Sequence, residues 1–378
     1  MKIKDIKVRT ILNSRNEKTA EVTVNNRFKA SSGGEGIFNK NISELPKKNS
    51  LEYINKILNK GFYKYEVNSF RDILDIEEIL LSYDKTNDLS LIGGNVIIAL
   101  EFALLKSASE NKVLDFLDVK PRKVPALICN CIAANYDAKN NRQQEISLIP
   151  KADNFRDSVF CSSYVYRKIG NLTRSNERNE FGSFISSSST ENNLMMLEKL
   201  TNEVTKKLRV EFSFGLSINA EDYYKNKFYR FGKKGASLNT HIKELNKLTE
   251  KFDIEYIEDP LSNNDLKSIK KIKSEYKCGN RIFSSNLDNI KKYAKYFNCA
   301  MIKISDTGGL GRLKKIVNFC KNNNISIALG QNIGETNENI ASHLAAAFGF
   351  DFIKYGLAGR DRYLKLSEIK IIEAEYLK

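Results

Sequence analysis

Histidine is scarce in this chain of 378 residues, which has only His241 and His343. A zinc site built on histidines is therefore nearly excluded. Long apolar runs are also missing. None approaches the roughly 18 consecutive apolar residues of a membrane-spanning helix, so no membrane span is expected. The opening MKIKDIKVRT passes straight into strand-like alternation without the apolar centre of a signal peptide, and a soluble cytoplasmic protein is expected. The six cysteines are scattered. Cys129 and Cys131 stand two apart, which is neither CxxC nor a zinc spacing, inside the strand-like run VPALICNCI. Plain buried thiols are expected. An Arg-rich run and an interleaved aromatic stripe are lacking too, and this tempers the formal net charge of +15. Polyanion or RNA binding is a third reading, not the favoured one, because a Lys, Asn and Ile bias can also come from an AT-rich genome.

What is present begins with a hairpin pattern. Residues 3–11 and 19–29 alternate, with 13–18 as the turn. A Ser-Ser-Gly-Gly-Glu-Gly loop follows at 31–36. Helical periodicity then runs over about 49–59, 68–82 and 93–112, with Ile97, Ile98, Leu100, Ala103 and Leu104 on the last segment. VKPRKVPA (119–126) holds two of the five prolines and marks a domain boundary. Beyond it, strands are predicted at 126–132, 145–149, 212–218, 254–257, 281–283, 300–304, 325–329 and 352–354. Helices are predicted between them, among them 191–209, 264–276, 309–323 and 335–349. Repeated β-α units imply a barrel whose function sits at the C-terminal ends of its strands. The Ser-rich stretch 171–190 reads as a long mobile loop over the barrel mouth.

Seven segments, in order, carry a resemblance. They are ILNSRNEKTAEV (11–22), LIGGNVIIALEFA (91–103), QQEISLIP (143–150), IEYIEDPL (254–261), MIKIS (301–305), GET (334–336) and IKYG (353–356). Together they resemble the enolase (phosphopyruvate hydratase) family across nearly the whole chain. The resemblance implies a small N-terminal α+β domain (1–118) followed by a modified TIM (β/α)8-type barrel (124–378). It also implies chemistry in which a lysine removes the α-proton of 2-phosphoglycerate, Mg2+ neutralises the enediolate and a glutamate helps the hydroxyl leave.

On that resemblance Lys303 stands at the base and Lys354 at its carboxylate-binding partner, with adjacent positive charge able to depress a lysine pKa. Glu145, beside Gln144, and Glu180 match the glutamates on the hydroxyl side. Glu258 matches one of three Mg2+ carboxylates. The other two positions carry Ser217 and Ser285, which offer neutral hydroxyls where Mg2+ wants anionic oxygens. The phosphate clamp departs as well. GQNIGET (330–336) puts Gln331, Asn332 and Ile333 where the family has His, Arg and Ser, and Asn cannot replace an arginine fork. Asp137 falls on a family histidine. The 31–36 loop is one residue short, with Glu35 near its missing serine.

These departures lead to the expectation of weak or absent Mg2+ binding and negligible enolase activity: a pseudoenzyme kept as a binding or assembly scaffold. A homodimer through the small domains is expected, since the family's Arg15 and Glu21 remain. Two other readings stand beside it. One is an active lyase or isomerase on a carboxylate substrate, using Lys303 and Lys354. The other is a metal site rebuilt from Glu35, Asp137, Asp222 or Asp306.

Overall fold

The alternation at the start becomes an antiparallel sheet, β1 (Ile6–Leu12), β2 (Lys18–Val24) and β3 (Phe28–Ser31), in the order β1-β2-β3. Val8 faces Val22 and Ile6 faces Val24, and all four are buried on one side of the sheet. Helices α1 (Leu51–Phe62), α2 (Phe70–Asp84), α3 (Gly94–Ser109) and the short α4 (Val113–Phe116) follow. Ser50 caps α1 by accepting from the Tyr53 amide, and Ser69 with Asp72 forms a capping box on α2. α3 is buried on nearly every face because it lies between the sheet and the barrel. The computed structural model describes residues 1–34, 42–134, 144–173, 177–231 and 235–377.

The second region runs β4 (Ala126–Ala134), β5 (Glu145–Lys151), α5 (Phe155–Thr173), β6 (Phe184–Ser186), α6 (Thr190–Leu208) and β7 (Glu211–Ser217). A small three-stranded sheet follows, β8 (Tyr224–Lys225), β9 (Phe228–Arg230) and β10 (Gly235–Ala236). The chain continues through α7 (Leu238–Phe252), β11 (Ile254–Glu258), β12 (Tyr276–Gly279), α8 (Leu287–Tyr293) and β13 (Cys299–Ile302). It ends with α9 (Leu310–Asn322), β14 (Ser326–Gly330), α10 (Ile340–Ala347), β15 (Phe352–Gly356) and α11 (Arg360–Tyr376). Eight strands, β4, β5, β7 and β11 to β15, close into a barrel because β15 pairs back onto β4. β5 runs antiparallel to both neighbours, and the other pairs are parallel. This is the modified barrel that the resemblance implies.

The barrel interior has a floor of Ile128, Ile149, Tyr256, Cys278, Cys299, Met301, Ala328 and Phe352. Side chains alternate along a strand, so the residue two further toward the mouth also points inward. That step leads from Ile128 to Asn130, Tyr256 to Glu258, Met301 to Lys303 and Phe352 to Lys354. On antiparallel β5 the step runs backwards, from Ile149 to Ser147 and Glu145. An apolar floor thus carries a polar layer directly above it. All six cysteines are buried and unpaired.

The first region is tied to the barrel by polar contacts. Glu101 of α3 accepts from the Leu310 amide (3.0 Å), and Glu77 of α2 accepts from Gly311 and from Arg312 (3.2 Å). Both carboxylates therefore sit on the amino end of α9, where its free N–H groups and dipole favour negative charge. Lys106 pairs with Glu338 at 2.7 Å, and Gly34 exchanges backbone hydrogen bonds with Gly334.

Three sequence expectations change. The strand expected at 281–283 lies earlier, at Tyr276–Gly279, because both oxygens of Asp259 hold the amides of Asn280 (3.0 Å) and Arg281 (2.8 Å) and turn the chain. The helix expected at 264–276 is a 3-10 turn, Leu266–Lys271. The stretch 171–190 is not one long loop: α5 reaches Thr173, and β6 pairs with β4. The serines of its described part are in use: Ser183 binds Glu145, and Ser186 binds Asn193.

Candidate functional site

A cavity of about 300 Å³ opens at the C-terminal ends of the barrel strands. Lys303, Lys354, Glu145, Glu180, Glu258, Gln144, Gln331, Ser217 and Ser285 all line it. The structure therefore brings together most of the residues singled out above. Asn332 is turned away, its side chain accepting from the Ser305 hydroxyl at 2.5 Å and its amide held by Glu335 at 2.7 Å. Ile333 lines the cavity in its stead. Asp137 and Glu35 lie outside the described residues.

Lys354 is the centre of the polar layer. Its ammonium donates to Glu258 Oε2 at 2.5 Å and to Ser217 Oγ at 2.6 Å, with both charged side chains under a tenth exposed. Glu258 also accepts from the Tyr256 hydroxyl (3.0 Å) and from Asn280 Nδ2 (2.8 Å). Burial alone would push the Glu258 carboxyl up, but the Lys354 charge and these hydrogen bonds outweigh it and hold the pKa below its ordinary value. Burial likewise pulls Lys354 down, yet Glu258 and then Glu145 outweigh it, so the ammonium is held above the ordinary lysine range. The expected depression of a lysine pKa does not occur at Lys354, because its nearest charged neighbours are acids.

Glu145 faces the same centre from the other wall. Asn130 Nδ2 (2.8 Å), Asn179 Nδ2 (3.1 Å) and Ser183 Oγ (2.7 Å) donate to it. Burial is the dominant influence and leaves its pKa raised despite Lys354 and these donors. Asn130 is itself aimed by the Ser147 hydroxyl at 2.8 Å.

Lys303 directly follows β13, and its backbone amide donates to Ser285 Oγ at 2.9 Å. The bare Cα of Gly330 leaves room for its stem, since a Cβ there would come within 3.3 Å of Lys303 Cγ and 2.5 Å of Met301 Sδ. At the rim, Gln144 donates to Asp222 at 2.9 Å, and Asp222 receives Arg281 at 2.6 Å. Glu180 sits exposed at the mouth, 3.5 Å from Arg15, while Gln331 is held by Arg362 at 3.1 Å. Arg15 thus engages Glu17 and Glu180 of its own chain, and Glu21 engages Arg9 at 2.6 Å. Among the described residues, no group of three or more His, Cys, Asp or Glu converges as a metal-binding set.

The barrel matches the family model for the enolase C-terminal TIM barrel domain over residues 121–377. The chain belongs to the enolase family. It is 26% identical to the enolase of Methanothermobacter thermautotrophicus, a match covering 99% of this chain and 96% of that one. The enolase of Archaeoglobus fulgidus is 28% identical over 79% of this chain and 78% of its own length. That of Thermoplasma acidophilum is 24% identical over 98% of each. Within the enolase frame, residues missed by motif reasoning are Asn130, Asn179, Ser183, Tyr256 and Asn280. Of these, Asn130 left a signal, a lone polar residue at an inward position of an apolar strand run. Tyr256 lies two residues before Glu258 on the same strand, whereas Asn179, Ser183 and Asn280 act through folds of the chain that no local pattern records.

Proposed function

We propose that this enolase-family protein does not dehydrate 2-phosphoglycerate and serves as a cytoplasmic binding or assembly scaffold. The observation that carries the reading is the Lys354 ammonium. It stands between Glu258 and Ser217, two positions at which the family resemblance calls for Mg2+ ligands. Both Glu258 oxygens are engaged, by Lys354, Tyr256 and Asn280. At the third position the Ser285 hydroxyl accepts a backbone N–H. One carboxylate already neutralised by an ammonium, with two hydroxyls, does not fit a hard divalent cation. Without that cation a second charge developing on a substrate carboxylate has little to offset it, and such stabilisation is usually the largest catalytic contribution. Phosphate recognition is weakened in parallel, because Asn332 turns toward Ser305 and Arg362 is spent on Gln331 and backbone carbonyls.

A second reading has its own observation. Lys303 still lines an open cavity opposite Glu145, a carboxyl whose raised pKa suits proton transfer. On that reading the protein is a lyase or isomerase acting on a carboxylate without phosphate, with Lys354 binding the carboxylate.

The deciding experiment is phosphoenolpyruvate formation from 2-phosphoglycerate by the purified protein with and without Mg2+, beside calorimetric titration with Mg2+. The expected result is no turnover and no binding heat. Mg2+-dependent turnover that Lys303→Ala abolishes would overturn the scaffold reading.

A further inference from the structure

The formal charge of the chain is not spread evenly over its surface. Four consecutive stretches of the barrel exterior carry most of it: α7, the 3-10 turn Leu266–Lys271, α8 with its continuation Ala294–Tyr296, and α9. They hold thirteen lysines and arginines against three carboxylates, Glu244, Glu250 and Asp288. That balance of +10 compares with +15 for the whole chain. The stretches form one surface. Asn246 of α7 donates to the Lys271 carbonyl at 2.8 Å and accepts from the Lys273 amide at 3.0 Å. The Leu266–Lys271 turn packs on Ala294–Tyr296, and α8 packs on α9. Lys267, Lys270, Lys271, Lys291, Lys292 and Lys295 are all exposed at its middle.

We infer that this face binds the phosphate backbone of nucleic acid, without reading sequence. Twelve of the thirteen cations are lysines, which act as point charges rather than the bidentate forks used to read bases. None of the large exposed apolar side chains among the described residues lies on these stretches. A protein partner would need aromatic or apolar anchors to supply hot spots. A membrane surface would need apolar side chains to insert. Neither is offered. Tyr293 and Tyr296 lie half-buried beneath Lys292 (4.8 Å) and Lys295 (5.1 Å), so they hold the ammonium groups over the surface. The face lies outside the cavity, so binding there stands or falls separately from the reading of the site.

The test is fluorescence anisotropy with the full chain and a labelled single-stranded RNA of about 30 nucleotides, across about 50 to about 200 mM salt. If about five lysines engage phosphates, affinity falls about a hundredfold over that range. The triple variants Lys267→Glu/Lys270→Glu/Lys271→Glu and Lys291→Glu/Lys292→Glu/Lys295→Glu should each bind at least about tenfold more weakly, with a log–log salt slope shallower by about 2. Thermal melts establish that each variant is folded. The control is Lys4→Glu/Lys60→Glu/Lys64→Glu, an equal reversal on exposed positions of the first region. Three outcomes overturn the inference: binding insensitive to salt, a control as weak as the face variants, or tighter binding to phosphatidylserine vesicles than to RNA.

Discussion

Lys354→Met is the sharpest test of how the polar layer is held together. It removes the only cation in hydrogen-bond contact with Glu258 among the described residues and keeps a side chain of similar length over Tyr256. Glu258 is left 2% exposed with two neutral donors, Asn280 and Tyr256. Breaking a buried pair from one side costs about 3–5 kcal/mol, because the remaining charge is uncompensated. With two donors retained and packing restored by the thioether, the low end applies, about 3 kcal/mol at pH 7. The pH dependence should also invert. In the parent, the lowered Glu258 pKa contributes stability present above the ordinary carboxylate range and lost as pH falls through the depressed value. In the variant, burial acts without Lys354, so the Glu258 pKa lies above that range. The loss should then shrink as pH is lowered from 7 toward 5 and the carboxyl takes up its proton. Denaturant unfolding at both pH values, with Glu258→Gln/Lys354→Met completing a double-mutant cycle, reads this directly. The reasoning fails if Lys354→Met costs less than about 1 kcal/mol at pH 7, or if Mg2+ stabilises the parent protein more than the variant.

Two further outcomes follow. Ser217→Asp/Ser285→Asp returns carboxylates beside Glu258, and aspartate tolerates the left-handed backbone of Ser285 (φ 49°). Calorimetry should show Mg2+ binding at least about tenfold tighter than in the parent, and an unchanged titration would refute the account of the missing ligands. Glu101→Gln probes the joint between the two regions. Burial, and then Glu77, hold the Glu101 carboxyl well above its ordinary range. Its contribution is therefore full below the ordinary range and is lost as pH rises through the raised value. The melting temperature of the parent should fall with rising pH where that of Glu101→Gln stays flatter, and parallel profiles would refute it.

Much of this was legible in the sequence, for a physical reason. Strand alternation has period two, so once the apolar floor is placed, the polar residue two steps on is fixed. Glu258, Lys303 and Lys354 are picked out by the family resemblance, and in the structure they obey that rule above the floor residues Tyr256, Met301 and Phe352. What could not be read was which of them touch. Lys354 and Glu258 sit 96 residues apart on strands separated by β12, β13 and β14, and only barrel closure brings them to 2.5 Å. The triplet Arg281-Ile282-Phe283 looked like a strand because its turn is imposed from outside, by Asp259 across the chain. The serines at 183 and 186 looked mobile because Ser-rich composition says nothing of buried acceptors. α5 escaped because Phe160 and Leu172 face outward on it and blur its apolar stripe.

The serines and the lysine are best understood as one arrangement. A buried carboxylate needs a counter-charge. In the family pattern a divalent cation supplies two charges to three acids. Here Ser217 and Ser285 leave Glu258 alone among those three positions, and a single ammonium balances it. Burial raises the pKa of Glu145, the next acid, and the Lys354 charge does not offset it, while at Glu258 the same charge and its hydrogen bonds outweigh burial. A divalent cation entering now would have to displace Lys354 from Glu258 and leave a second buried positive charge within reach of Glu145 alone. On the scaffold reading, the geometry that satisfies Glu258 is therefore the same geometry that opposes the metal. On that reading a carboxylate recovered at position 217 alone would add a second partner for Lys354, whose ammonium already donates to Ser217. The same reading expects Mg2+ to compete only when both serine positions change together.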